Sequence, residues 1–231
     1  MRGKSEQVCQ KKVRHKPNSH PRNAGADGDR GRKGTADLAP VTVKNPLDHV
    51  YGNRMPDLSF TNTGILNAPC CRQFFSDAQR YVRDSRGGIK QILRKFPLKM
   101  HGKEAQIKAC LTECAGIIWG NKAFWSAASD AFGADFSAYY LADRLGVPLS
   151  EINSCLSSEK APEGIMTGMA EGNKPGITGT PGVVIPDTQT MLRHSFNGAP
   201  EESDIAGVIA RMAEQDRINE KLRSQQQNLG K

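Results

Sequence analysis

The clearest pattern of hydrophobic and polar positions begins at residue 69 and has the period of a helix. Its apolar side chains recur every three or four residues, on one face of a helix: they are Cys71, Phe74, Phe75, Ala78 and Val82. Pro69 suits the first helical position, where its missing N–H has no helical partner to lose. The Arg-Gly-Gly sequence at 86–88 favours the end of the helix.

Short strands are predicted on both sides of this helix. Residues 55–64 alternate weakly between apolar and polar positions and end at Gly64. Residues 89–96 predict a second strand, which Pro97 closes. A strand–helix–strand unit of this length predicts a right-handed crossover between two parallel strands.

The sequence after about residue 99 predicts a helical region, followed by a hairpin and a final helix. Residues from about 99 to 173 contain helical patterns separated by glycines and Pro148. Residues 182–185 predict a buried strand, and residues 191–196 predict its hairpin partner. The last helix has apolar positions at 205, 208, 209 and 212, and beyond about 216 its pattern is polar.

The charge distribution divides the chain into a basic tail and a nearly neutral body. Residues 1–45 contain eleven Lys or Arg and four Asp or Glu, which is +7 of the net charge of +8. We therefore expect a disordered basic tail at 1–48, a folded domain at 49–226 and a flexible C-terminus at 227–231. Nucleic acid is an unfavoured partner, because the body carries almost no net charge. No apolar run indicates a secretory signal or a membrane span.

The six cysteines are too few for a disulfide scaffold in a chain of 231 residues. Their spacings do not match the usual zinc motifs, so neither a metal nor a cofactor is expected. Cys110 and Cys114 are one helical turn apart on a buried stripe, and Cys155 lies beside apolar neighbours. These three are predicted to fill the core as small hydrophobic side chains.

Five short motifs resemble the DsbA-like thiol–disulfide oxidoreductase family. The motifs, in chain order, are Ala-Pro-Cys-Cys-Arg-Gln-Phe at 68–74, Phe-Pro-Leu at 96–98, Lys-Ala-Phe-Trp at 122–125, Ser-Cys-Leu-Ser-Ser-Glu-Lys at 154–160 and Gly-Ile-Thr-Gly-Thr-Pro at 176–181. The resemblance covers roughly residues 55–212. It implies an α/β thioredoxin-like fold, βαβ…ββα, with an α-helical insertion at about 99–173.

The resemblance also implies where the site lies and how it departs from the family. The family motif is Cys-Pro-x-Cys, in which the first cysteine is the nucleophile and the second resolves the mixed disulfide. Here Ala68 occupies the nucleophile position and Cys71 the resolving position, with Cys70 between them. Asn62 stands where the family often has an acidic residue.

A second part of the implied site is a substrate groove. The resemblance implies that the Thr180–Pro181 peptide bond is cis and faces the helix that carries Cys71. A cis proline exposes the backbone of the preceding residue for pairing with a peptide. The expected substrate-binding residues are Thr180, Pro181, Pro69 and Ala68.

Three interpretations of Cys70 and Cys71, the expected catalytic pair, remain open. Cys70 can act as a substitute nucleophile in the first helical turn, where the helix dipole favours a thiolate. The site can instead be redox-inactive and leave a peptide-binding or chaperone-like module. Both thiols can also simply be packed in the core.

The favoured function is altered thiol–disulfide exchange, of the oxidoreductase or isomerase type, on protein or peptide thiols and disulfides. A membrane redox partner is an additional expectation. Family members usually work in the periplasm or outside the cell, where disulfides persist, although no signal peptide is visible in this sequence.

Overall fold

The computed structural model describes residues 48–52, 59–64, 66, 68–86, 88–97, 101–173, 176–186 and 193–229. The expected tail, apart from Asp48, lies outside the described residues, as do residues 230–231. The strands are β1 (Val50–Gly52), β2 (Ser59–Gly64), β3 (Lys90–Lys95), β4 (Gly182–Pro186) and β5 (Arg193–Asn197). The helices are α1 (Pro69–Asp84), α2 (Gly102–Trp119), α3 (Asn121–Asp130), α4 (Ala138–Leu145), α5 (Leu149–Ser157), α6 (Lys160–Asn173) and α7 (Glu202–Leu229).

In the described part of the chain, five strands form one mixed sheet in the order β1-β3-β2-β4-β5. Strands β2 and β3 are parallel, with Asn62 opposite Leu93, so the predicted parallel pairing of the two strands that flank α1 is confirmed. The other neighbouring pairs are antiparallel. The order βαβ…ββα, with α2 to α6 inserted, is the predicted thioredoxin-like fold. Strand β1, which adds an edge to β3, was not predicted.

Two helices pack on the sheet through the apolar faces that the sequence predicts. Helix α1 buries all five of its predicted apolar side chains. Three of them, Phe74, Ala78 and Val82, form one cluster with Val183 of β4 and with apolar side chains of α7. This cluster fixes the position of α1, and with it the position of the two cysteines at its start.

The insertion has a core of its own, built around α2. The side chains of α2 are buried without interruption from Ala105 to Ala115, because α3, α5 and α6 all pack against it. Helix α6 also contacts β3, which ties the insertion to the sheet. No helix within the described residues is both long and apolar enough to cross a membrane.

Two predictions need correction. Cys114 of α2 and Cys155 of α5 do not merely fill the core: a disulfide bond joins them across 41 positions of sequence, with their Cα atoms 5.8 Å apart. Cys110 is fully buried, but it is also disulfide-bonded, so it does not merely fill the core either. The C-terminal helix continues to Leu229, past the predicted boundary at residue 226, although most of its side chains beyond residue 213 are exposed.

Candidate functional site

The start of α1 brings the two adjacent cysteines to the end of the parallel strands. Ala68 is the N-cap, with φ −102° and ψ 132°, and Pro69 is the first helical residue. The backbone N–H of Arg72 donates to the carbonyl of Ala68 at 3.0 Å, which closes the first turn. Cys70 and Cys71 therefore occupy the second and third helical positions.

The two thiols have different environments. Neither Cys70 nor Cys71 is in a disulfide bond, and Cys70 is exposed whereas Cys71 is buried. Cys71 packs with Ala105 of α2 and contacts Ala68 and Phe132. The interpretation in which both thiols are packed is therefore wrong for Cys70. Adjacent residues of a helix point about 100° apart around its axis, so only one of the two thiols faces the core.

The N-cap position explains why the replacement of a cysteine by Ala68 matters. A side chain at this position can accept hydrogen bonds from the backbone N–H groups of the second and third helical residues. A thiolate there would be stabilised by those donors and by the helix dipole. Ala68 makes no side-chain hydrogen bond to the helix. Cys70 lies inside the turn, where the dipole still acts on it.

The loop before β4 supplies the second part of the site. The Thr180–Pro181 peptide bond is cis, as the resemblance implies, and Pro181 is buried. Gly182 is opposite Thr63 in the antiparallel pair of β4 and β2. Because β2 leads into α1, this register brings the loop to the end of the sheet from which α1 starts. That the loop faces Cys71 remains a prediction.

Position 62 lies in the centre of the sheet. The backbone of Asn62 is opposite Leu93 on one side and Val183 on the other. Its side chain is outside what the structure describes, so its proposed correspondence to an acidic residue stays a prediction. No group of three or more His, Cys, Asp or Glu side chains in the described ranges is arranged to hold a metal ion.

Comparison with known proteins identifies the family. A model of the thioredoxin family matches residues 44–215, which is most of the chain. The chain belongs to the thioredoxin family. Within it, the structure is DsbA-like, because its neighbours among solved structures include DsbA proteins. A comparison with curated protein sequences finds no match.

Three solved structures illustrate the similarity. DsbA2 from Pseudomonas aeruginosa is 28% identical, with a TM-score of 0.63 over 72% of this chain and 95% of that one. A thioredoxin-like oxidoreductase from Silicibacter pomeroyi DSS-3 is 21% identical, with a TM-score of 0.62 over 74% and 94%. The thiol–disulfide exchange protein alpha-DsbA2 from Wolbachia pipientis is 17% identical, with a TM-score of 0.58 over 73% and 87%. The last two show the shared fold alone.

A buried charged cluster in this thioredoxin-family chain was missed by the sequence analysis. Lys95, at the end of β3, is 2% exposed, and its Nζ donates to Oε1 of Glu113 at 2.5 Å. The other carboxylate oxygen of Glu113 lies 3.2 Å from Nε2 of His49. The ring of Phe124 stacks on His49, and Nζ of Lys95 lies 3.6 Å from the centroid of the same ring. The available signal was the pair of adjacent basic residues, Arg94 and Lys95, in a segment that the sequence predicts to be a strand of the sheet.

The cluster shifts the protonation of all three groups. Burial lowers the pKa of Lys95 to about 8, although the charge of Glu113 opposes the change. Burial alone would raise the pKa of Glu113, but the charge of Lys95 and the hydrogen bond with His49 hold it below its ordinary value. Burial also lowers the pKa of His49, against the hydrogen bond with Glu113. A neutral His49 therefore meets an ion pair near neutral pH.

Contacts beside this cluster hold residues 48–50 against the rest of the domain. Asp48 accepts hydrogen bonds from Nε and Nη2 of Arg94 at 3.1 and 2.8 Å, and both side chains are buried. Asn121 donates from Nδ2 to the carbonyl of Val50 at 2.6 Å. Together with His49, these contacts join β1 to β3, α2 and α3. Asp48 therefore packs as part of the folded domain rather than the tail.

Proposed function

We propose that the chain catalyses thiol–disulfide exchange on protein or peptide substrates, with Cys70 as the attacking thiol. One observation carries this proposal: Cys70 is exposed in the first turn of α1, whereas Cys71 is buried. A nucleophilic thiol must reach the substrate disulfide, and the helix dipole favours its thiolate form. The family of the chain supports the same class of chemistry.

The proposed reaction uses a single thiol. The Cys70 thiolate attacks one sulfur of a substrate disulfide, forms a Cys70–substrate disulfide and releases the other sulfur as a thiolate. A second substrate thiolate then attacks the mixed disulfide at the substrate sulfur, forms a new substrate disulfide and releases the Cys70 thiolate. Electrons balance without an external oxidant, because one substrate disulfide has been exchanged for another. This is isomerisation.

The geometry of α1 argues against Cys71 as the resolving thiol. Both cysteines lie in regular helix from Pro69 onward. A disulfide between adjacent residues closes a tight ring, which helical backbone does not accommodate. Net oxidation by the two-cysteine cycle of the family is therefore not expected here, and Ala68 is the physical reason.

Single-cysteine variants test the proposal in an assay of scrambled ribonuclease refolding and in an insulin reduction assay. Cys70→Ser should lose isomerisation to the level without protein, while Cys71→Ser should retain most of it. Circular dichroism of both variants verifies that each is folded, since a hydroxyl at the buried position 71 destabilises the helix contact. Equal activity of Cys70→Ser and the unchanged protein would refute the role of Cys70.

A redox-inactive peptide-binding or chaperone-like module is the second candidate. It is favoured by Ala68, which removes the thiol from the N-cap position, together with the cis proline loop. In this case the Cys70→Ser, Cys71→Ser double variant should bind an unfolded peptide as tightly as the unchanged protein. Alkylation of Cys70 would then be no faster than that of a cysteine in a short peptide.

We also place this activity outside the cytoplasm. The Cys114–Cys155 disulfide supports an oxidising compartment, and one structural neighbour is a periplasmic thioredoxin-like protein from Salmonella. Single-thiol exchange needs reduced Cys70, so a dithiol partner, for example one held in the membrane, would maintain it. Trapping thiols with an alkylating agent in cell fractions measures both oxidation states. A reduced Cys114–Cys155 pair would contradict this location.

A further inference from the structure

The loop of residues 176–181 is held in place by one side chain from the opposite strand. Asn197 ends β5, and its Oδ1 accepts from the backbone N–H of Thr178 at 2.9 Å. Its Nδ2 donates to the carbonyl of Gly176 at 3.2 Å. A third, longer contact of 3.4 Å joins Oδ1 to the hydroxyl of Thr178. One amide side chain thus satisfies a donor and an acceptor two residues apart in the loop.

The other end of the loop is held by backbone from the same strand end. The N–H of Gly198 donates to the carbonyl of Pro181 at 2.8 Å, and Asn197 itself is opposite Gly182. The loop also buries the side chain of Ile177, which is 1% exposed. Both flanks of the loop are therefore fixed relative to β5.

Between these fixed flanks, Thr180 has no hydrogen bond within the part of the chain that the structure describes. Backbone N–H and C=O groups that are not paired within a fold can pair with an extended peptide. Such pairing is strongest when the groups are already in position, because less conformational entropy is lost on binding. Asn197 holds the loop in position before substrate binds, through its hydrogen bonds to Thr178 and Gly176.

We infer that Asn197 is a positioning residue for substrate: it holds residues 176–180 so that the backbone of Thr180 pairs with an extended polypeptide. This inference rests on the proposed function. The family resemblance already implies that Thr180 lies in the substrate groove; the inference adds the residue that holds this part of the groove in position, Asn197. Small disulfides that cannot pair with Thr180 gain nothing from Asn197.

Two disulfide probes distinguish an effect of Asn197 on substrate binding from an effect on the reactivity of the Cys70 thiol. The first is a ten-residue unstructured peptide with one cysteine in a mixed disulfide with thionitrobenzoate, and the second is the small disulfide dithiobis(nitrobenzoate). Attack by Cys70 on either probe forms a new disulfide with Cys70 and releases the coloured thionitrobenzoate anion. Asn197→Ala should slow the reaction with the peptide about five- to tenfold, as expected for the loss of two hydrogen bonds. The reaction with the small disulfide should be unchanged.

Two further variants sharpen the comparison. Asn197→Asp keeps an acceptor for the N–H of Thr178 but loses the donor to Gly176, so its rate with the peptide should be intermediate. Asn153→Ala, the same change in α5, should behave as the unchanged protein with both probes. Urea denaturation of Asn197→Ala measures any loss of stability. Equal slowing with both probes, or no slowing with the peptide, overturns the inference.

The positioning role of Asn197 can still be tested if Cys70 proves unreactive and the proposed catalysis fails. In that case the peptide is made with serine in place of cysteine, and its binding to the Cys70→Ser protein is followed through the NMR shift of the Thr180 amide. Binding about five- to tenfold weaker in Asn197→Ala supports the positioning role. Equal binding, or no binding to either protein, overturns it.

Discussion

Replacement of Lys95 by methionine tests how the buried cluster is built. Burial lowers the pKa of Lys95 from 10.5 to about 8, and a shift of this size corresponds to about 3 kcal/mol. Between these two pH values, the unfolded chain retains a proton that the folded protein has released. The free energy of unfolding therefore rises with pH over this interval. Methionine has a similar length but does not titrate, so Lys95→Met should lack this rise.

The expected difference is measurable over an accessible range. The parent protein is the one that retains Lys95. From pH 8 to pH 9.5, its free energy of unfolding should rise by about 2 kcal/mol relative to that of Lys95→Met. Urea denaturation at pH 7, 8, 9 and 9.5 measures it in a Cys70→Ser background, which removes the exposed thiol that could exchange with the disulfide at alkaline pH.

A matched control identifies the titrating group. Lys122→Met makes the same chemical change on the exposed side of α3, so its pH dependence should follow that of the parent protein. If the curves for Lys95→Met and its parent stay parallel from pH 8 to 9.5, then Lys95 keeps its ordinary protonation. In that case the burial described for its ammonium group would be wrong.

Three further perturbations test other contacts. The unchanged protein should lose stability as the pH falls below 6.5, because burial lowers the pKa of His49 and disfavours its protonated form. His49→Phe should lose less stability, which melting temperatures at pH 5 and pH 7 measure. Gly116→Ala should destabilise the fold by about 1–3 kcal/mol in urea denaturation, because its Cβ would meet the His49 ring, with Nε2 at 3.0 Å. Replacing Cys114 and Cys155 together by alanine should cost about 4 kcal/mol, from the entropy of a loop of 41 residues, measured in the same way.

Each of these predictions has its own contrary outcome. Parallel melting curves below pH 6.5 would show that His49 does not contribute. Gly164→Ala is the control for Gly116→Ala, because its Cβ would lie at an ordinary 3.5 Å from Glu113; equal destabilisation of the two would remove the steric argument. No change on removing the disulfide would mean that α2 and α5 hold their positions through apolar packing alone.

Much of the architecture could be predicted because it depends on neighbours in sequence. The buried face of α1 follows a spacing of three to four residues, and Pro69 marks its start. The same proline sets the register that places a non-thiol side chain, Ala68, at the N-cap and Cys71 at the position that corresponds to the family's second cysteine. The order of strands and helices then limits the topology to very few choices, because βαβ crossovers are right-handed.

The exposure of the two adjacent cysteines could be predicted only in part. Helical spacing predicts that Cys71 is buried, since it lies on the apolar stripe of α1. It does not decide whether Cys70 reaches solvent, because that depends on how α2 and the loop before β4 cover the first turn of the helix. The structure leaves Cys70 exposed and covers Cys71 with Ala105.

Other features depend on contacts between residues that are far apart in the chain. The Cys114–Cys155 disulfide requires α2 and α5 to pack at one distance, and Lys95 is tolerated in the core only because Glu113 and His49 come from two other elements. Asn197 holds its loop across 19 and 21 positions. Periodicity records which face of an element is buried, but it carries no information about which distant side chain meets that face. The sequence by itself therefore determined the helices and strands and the position of the two cysteines at the start of α1. Only the packing of those elements decided which charges are buried, which cysteines are bonded and which thiol is exposed.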